Sequence, residues 1–426
     1  MREDLLHFVW KHRKLPLNGL QTSAGEALQI HDTGTHNPYS GPDFFNARIS
    51  IDGQLWAGNV EIHVKASDWY QHRHEADGNY NNVVLHVVWE DDIPVFRGDQ
   101  SRIPALELRN IVPRPLLMRY RKLFEYQRRR FINCEGDIAE TDPFLIMQWL
   151  ERLYFERLER KSVEIDAALA SSNNDWEQVF FARLLKNFGL NINGEAFHQI
   201  GQAVDFSIVR RIGDNVVRLE SLLFGVSGLL EQEGCTDRYF HELREEFAYL
   251  GRLHPLIKKG VRTPEFARLR PANFPTIRLS QFAVLYATRQ HLFSKAMAAP
   301  GFSEIQCLFG VRSSAYWQEH YTFGKPSPNR VKQLSRNFIN LLLINTILPF
   351  KFCYARHSGR HANDHILRIL EKLPAEKNHI ISRFRGLGLV AANGKDSQAM
   401  LQLYREYCSR NRCLHCAVGC RLLGGK

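Results

Sequence analysis

Asp52-Gly53 stands between two stretches that alternate in polarity, residues 44–51 and 55–64, and this arrangement constrains the fold more than any other feature of the chain. A two-residue Asp-Gly connection favours a turn with positive φ that matches the twist of its flanking strands. The two stretches are therefore predicted to pair as an antiparallel hairpin. Successive side chains of a strand point to opposite faces. Glu61, His63 and Lys65 thus share one face of the return strand, and Val60, Ile62 and Val64 share the other. The apolar face is expected to be core, and the polar face to open on a cleft or on solvent. Asp43 precedes the first strand, eighteen residues before Glu61.

Further elements gather around this hairpin. Leu5, Leu6, Phe8 and Val9 among charged neighbours predict a short amphipathic helix over residues 1–12. Residues 27–30 and 83–89 read as strands, 93–96 as an extension of the sheet, and 31–41, rich in Gly, Asn, Pro, Thr and Ser, as a loop. From about Pro113 the texture becomes helical, with periodic segments at 142–169, 175–189, 215–233, 237–251, 278–298, 329–347 and 363–373. The fold class is α+β: a small mixed or antiparallel N-terminal sheet with flanking helices, followed by a large all-helical part. Three regions result: a core at 1–112, a helical region at 113–400, and a Cys-rich end at 401–426. Breaks near 262–276 and 299–328 divide the helical region into two subdomains. At 426 residues and 44% apolar composition, the chain exceeds one ordinary domain. The start, MREDLLHFVW, lacks the apolar core of a secretory signal, and no stretch reads as a bilayer span, so a cytoplasmic chain with reduced cysteines is expected.

Charge changes sign along the chain. Residues 1–110 carry a net −5 and the remainder a net +16, and 8 of the 18 histidines lie in the first part. An acidic pocket for divalent cations joined to a basic surface for phosphates would produce this asymmetry. Asp43 and Glu61 on paired strands suit Mg²⁺ or Mn²⁺, which could acidify a water and neutralise phosphate charge, with His63 or Lys65 orienting the water. His72, His74 and His86 form a second cluster, and His-x-His can ligate a transition metal. If strand 83–89 lies beside the Glu61 strand, His86 approaches His63. Arg119, Arg121, Lys122, Arg128, Arg129 and Arg130, interleaved with Tyr120, Phe124 and Tyr126, offer phosphate and base contacts to nucleic acid. A solvated helix with its aromatics in the core explains any single one of them. Cys408, Cys413, Cys416 and Cys420 place four thiols in one short segment, which suits Zn²⁺ or a [4Fe–4S] cluster.

Pro42-Asp43 followed by Glu61-x-His63 resembles the signature of the PD-(D/E)xK nucleases. In that fold an Asp starts one strand of a hairpin and an acid-x-Lys pair lies on the next. The resemblance implies a restriction-endonuclease-like core with Asp43 and Glu61 as metal ligands. His63 stands where that family has Lys, and Lys65 lies one step further on the same face. An acid from an N-terminal helix often completes such sites, a place for Glu3 or Glu26. The stretches GPDFFNARI, GNVEIHVKASDW, YNNVVLHVVW and RPANFPTIRL are also similar to a bacterial family catalogued only as a domain of unknown function (number 2851), which implies no activity. The expected function is a divalent-metal nuclease acting on DNA or RNA. Two other classes remain open: a non-catalytic nucleic-acid-binding protein with a core degenerate at His63, and a metalloenzyme of another class using His63, His72, His74 and His86.

Overall fold

The computed structural model describes residues 2–16, 18–124, 130–256 and 260–424. The chain is α+β and divides into two compact units. One is built from Met1–Leu150, His379–Val390 and Met400–Lys426, the other from Glu151–Asn378 and Ala391–Ala399.

The first unit opens with helix α1 (Glu3–Lys11), which buries Leu5, Leu6, Phe8, Val9 and Trp10. A seven-stranded mixed sheet follows: β1 (Leu20–Gln21), β2 (Ala27–Asp32), β3 (Thr35–His36), β4 (Phe44–Ile51), β5 (Gln54–Lys65), β6 (Val83–Glu90) and β7 (Ala105–Glu107). Its order is β1-β2-β4-β5-β6-β7, with β3 paired to β4. The predicted hairpin is β4–β5, antiparallel, closing on Ile51 and Gln54. Asp52 and Gly53 have φ of 48° and 84°, the double positive-φ turn that Asp-Gly favours. The Asp52 side chain accepts the N–H of Ala27 at 2.7 Å and so joins the turn to β2.

The sheet is mixed, as predicted. β5–β6 and β6–β7 run parallel, with Glu61 in register with His86, and the other four pairings are antiparallel. The parallel pairing requires a crossover, which residues 66–82 supply through helix α2 (Asp68–Gln71) and two short 3₁₀ turns. Residues 93–96 do not extend the sheet. Phe96 makes only an isolated bridge to Arg102, and Ala105–Glu107 is the edge strand instead. Pro94 has no N–H to give to a ladder, which accounts for the loss. Part of the predicted loop at 31–41 is strand, since β2 runs on to Asp32 and Thr35–His36 pairs with Phe45 and Phe44.

Both faces of the sheet are covered at its centre. Residues 58–63 of β5 and 83–88 of β6 are all buried, whereas β4 alternates. The polar face of β5 therefore points neither to solvent nor to an open cleft. Glu61, His63 and His86 are 4%, 2% and 0% exposed. Helix α3 (Arg114–Phe124) and the C-terminal helix Ala417–Gly424 also belong to this unit, tied by Arg119 Nε donating to the Leu423 carbonyl at 2.9 Å.

The second unit is helical apart from the small hairpin His320–Thr322 with Lys325–Pro326. Side chains of Asp175, Asp205, Asn215, Asp237 and Ser335 accept first-turn N–H groups and fix where helices start. Ser335 moves the predicted helix at 329–347 to a start at Arg336. The predicted helix at 278–298 is two, Pro275–Thr288 and Leu292–Ala298, separated where His291 takes φ 56°. Leu190–Ala203 and Phe206–Ile212 are additional helices. Arg336–His357 is long and apolar enough, by length and composition, to cross a bilayer, which the sequence reading did not find. Its most apolar window is 72% buried within the protein, as in a core helix.

One buried cation in this unit yields a prediction. Lys351, 6% exposed, donates to the carbonyls of Met297 and Ala299 at 2.6 and 2.9 Å. Burial pulls its pKa from 10.5 down to about 8. The unfolded chain therefore takes up the proton first as pH falls through that window, and stability declines from above pH 10.5 to about 8. Lys351→Met is expected to orphan both carbonyls at a cost of about 1–3 kcal/mol and to flatten that slope. Urea unfolding across the alkaline range would measure both, and an unchanged slope would refute the assignment.

Candidate functional site

The centre of the sheet in the first unit brings together residues from five short segments. Asp43 lies immediately before β4, and Glu61 and His63 lie on β5. His72 and His74 come from the crossover, and His86 lies on β6. Glu3 and His7, four apart and hence on one face of α1, complete the group.

The backbone at Asp43 is shaped for this arrangement. A bulge in the β4–β5 register between Phe44 and Ala47 gives Asn46 a φ of 57°, and the Asn59 side chain caps its N–H at 3.3 Å. Bulges of this kind re-aim neighbouring side chains. Asp43 and Glu61 are then interlocked. The N–H of Asp43 donates to Glu61 Oε2 at 3.1 Å, and the N–H of Ile62 donates to Asp43 Oδ2 at 3.0 Å. Arg73, with φ 60°, turns the crossover so that His72 and His74 both reach the same point. Tyr80 stacks on His74 with ring centroids 3.8 Å apart, and the fully buried Trp69 meets His74 and His86 edge-on or tilted.

The imidazoles converge on one carboxylate oxygen. Glu61 Oε1 lies 3.5 Å from His63 Nε2 and 3.4 Å from His74 Nε2. His63 Nε2 is 3.1 Å from His72 Nδ1. Ligand atoms of His63, His72 and His74 all fall within 4.8 Å of one another. On the other side of its ring, His63 Nδ1 is 2.8 Å from His86 Nε2. If Nδ1 of His63 carries the proton and donates it to His86, then Nε2 of His63 offers its lone pair to the cluster. A histidine held by a second group in this way is the usual arrangement at a metal.

Electrostatics point the same way. Burial, then the neighbouring His86, His72 and His74, push the pKa of His63 down to about 2. Burial pulls His86 down to about 3. Burial and Asp43 raise the carboxyl of Glu61 well above its usual range. With protein groups alone, burial favours neutral imidazoles at His63, His74 and His86 beside a protonated Glu61. Neutral imidazoles are the ligating form, and a cation would let Glu61 ionise. Three imidazole nitrogens and a carboxylate suit a first-row transition ion better than Mg²⁺, which favours oxygen ligands. His7 differs from the rest. Burial works against its charge, but its contact with Asp43 Oδ2 at 3.2 Å and the charges of Asp43, Glu3 and Glu61 prevail and raise its pKa. The Glu3 pKa is also raised, chiefly by burial.

The sequence-predicted residues divide accordingly. Asp43, Glu61, His63, His72, His74, His86 and Glu3 come together. Lys65 is exposed at the end of β5, its N–H bonded to Asp68 Oδ2 at 2.9 Å. Glu26 lies in the β1–β2 turn, accepting from the Thr22 hydroxyl at 2.8 Å. His7 was missed, although its spacing from Glu3 on a predicted helix would have found it. Of the basic group, Arg119 holds the Leu423 carbonyl, Lys122 pairs with Asp137 at 2.6 Å, and Arg130 donates to the Asn133 carbonyl at 3.4 Å. Arg121 is exposed and Tyr120 is buried. Tyr126, Arg128 and Arg129 lie outside the described residues.

The family model described as "Protein of unknown function (DUF2851)" matches residues 3–379 of the chain. No curated protein and no solved structure matches it.

Proposed function

We propose that this chain, which belongs to the DUF2851 family of proteins of unknown function, is a divalent-metal-dependent hydrolase of phosphodiester bonds in nucleic acid. Glu61, His63, His72 and His74 would hold the ion. The convergence of His63 Nε2 and His74 Nε2 on Glu61 Oε1, with His72 alongside, carries the reading. The donor set favours Mn²⁺ or Zn²⁺ over Mg²⁺. The position of Asp43 before one hairpin strand, of Glu61-x-His63 on the next, and of Glu3 on a preceding helix supports the likeness to PD-(D/E)xK nucleases and a restriction-endonuclease-like core. The net +16 of residues 111–426 supports a polyanionic substrate.

A bound ion would supply Lewis acidity and a water acidic enough to attack at neutral pH. The chain's own groups do the rest. Asp43, fixed by the Ile62 N–H, orients His7, whose raised pKa keeps a proton at hand for the leaving oxygen. His86 fixes the ring of His63, and Trp69 and Tyr80 cover His74 and His86, while His72 stays exposed on the crossover. Lys65 has no part in this scheme.

The test is cleavage of single- and double-stranded DNA and RNA by the full chain with Mn²⁺, Zn²⁺ or Mg²⁺. His72→Ala and His74→Ala are expected to lower cleavage at least about 100-fold, more than outer-shell partners are worth, with nucleic-acid binding retained. Full activity in the double variant would sink the proposal. The nitrogen-rich donor set also favours a second reading, a metallohydrolase of another substrate. Tight metal binding by the histidines without cleavage of any nucleic acid would select it.

A further inference from the structure

Five of the chain's 8 cysteines gather in the first unit, and they are not the set that sequence spacing selects. Cys134 lies in the turn after α3, where Asn133 Nδ2 donates to Cys413 Sγ at 3.3 Å and to Asn411 Oδ1 at 3.2 Å. Those bonds bring residue 134 against the C-terminal segment. Cys134, Cys413 and Cys416 are 9%, 8% and 7% exposed. Cys408 closes the π-helical turn Leu403–Cys408, a wider coil than the α-helix it follows.

We propose that Cys134, Cys408, Cys413 and Cys416 form the four-thiolate site of an iron–sulfur cluster, with Cys420 outside the ligand set. The proposal stands apart from the reading of the histidine site.

Three observations carry it. The first is mutual proximity. Each of the six pairs among these four thiols is close enough to interact electrostatically. For Cys420 the interactions that stand out are with Cys416 and Cys413 alone, and its Sγ is turned to the Leu414 carbonyl at 3.0 Å. The second is the direction of N–H donors. Asn133 donates to Cys413, while the Gly419 and Val418 N–H groups are directed at Cys416. Neutral buried thiols need no such donors, whereas hydrogen bonds to sulfur stabilise and tune thiolate-held clusters. Gly419 has no room for a side chain, since a Cβ there would overlap the Cys413 carbonyl. Its N–H can approach Cys416 only as glycine. The third is spacing. Tetrahedral zinc draws four sulfurs to about 3.8 Å of one another at a Zn–S length of about 2.3 Å. Among the described residues, the groups with three or more ligand atoms within 4.8 Å are His63–His72–His74 and Asp166–Cys353–His357, and these thiols are not among them. Four sulfurs that all interact yet stand further apart suit a metal–sulfide core rather than one ion.

The test is the full chain purified without oxygen and assayed for iron, acid-labile sulfide and zinc. Iron and sulfide in near-equal amounts are expected, with the broad visible absorption of sulfur-to-iron charge transfer. Cys134→Ser should lose most of the iron, and Cys420→Ser and His72→Ala should keep it. Alkylation of the wild type is a second readout, independent of whether Cys134→Ser folds. Cys134, Cys408, Cys413 and Cys416 should be blocked together and become reactive together when iron is stripped. Stoichiometric zinc without sulfide, alkylation of Cys134 with the cluster intact, or iron loss in Cys420→Ser would each overturn the assignment.

Discussion

Glu61→Gln is expected to leave the metal-free protein as stable as the wild type, or more so, and to abolish its response to divalent metal. Burial and Asp43 already favour the protonated carboxyl in the folded chain, and glutamine has the shape of that form. Its side-chain oxygen can still accept the Asp43 N–H. A neutral amide cannot supply the charge that an ion requires of its one carboxylate ligand. For the wild type, Mn²⁺ at a hundred times its dissociation constant should add about 2.7 kcal/mol of stability. That gain should vanish in the variant. Thermal melting with and without Mn²⁺ reads both halves at once. A marked loss of metal-free stability would mean that Glu61 is ionised and structural, and an undiminished Mn²⁺ response would remove it from the ligand set.

Trp69→Ala is expected to cost about 3–5 kcal/mol, the usual range for a buried large aromatic. Trp69 is fully buried in a cluster with Ala66, Tyr80, Val83, Val88, Val95 and Ile103. It also bounds the histidines, with ring centroids 5.4 Å from His74 and 5.6 Å from His86. The cavity would open beside the ligand His74 and beside His86, which holds the ring of His63, and burial lowers the pKa of both, so metal affinity should fall as well. Trp69→Phe should restore most of the stability. Urea unfolding together with metal titration would check this, and a loss below about 1 kcal/mol would contradict the role given to the ring.

The hairpin was legible because its signals are local: a turn dipeptide, alternation on both sides, and Pro42-Asp43 at the entry. The direction of β6 was not, because residues 83–89 read as the same strand whether parallel or antiparallel. The burial of Glu61 and His63 was not legible either. A polar-apolar alternation looks identical whether the polar face meets water or a second polar cluster, and only the crossover bearing His72 and His74 decides. Cys134 was hidden for a plainer reason. It is an ordinary residue of its own segment and becomes notable only when a distant segment packs beside it. Asp205 and Asn215, by contrast, carried cap signals for helices whose boundaries the periodicity alone blurred.

The first unit is assembled from both ends of the sequence, with the second unit inserted between them. During synthesis, the sheet and its histidines leave the ribosome long before the segment Met400–Lys426 that belongs with them. The second unit, nearly continuous in sequence, can fold while the first still waits for its last pieces. A truncation that removes Met400–Lys426 would therefore damage the unit that holds the sheet. Until those residues emerge, helix α3 lacks the C-terminal helix that packs against it, and that is the form on which a chaperone would be expected to act.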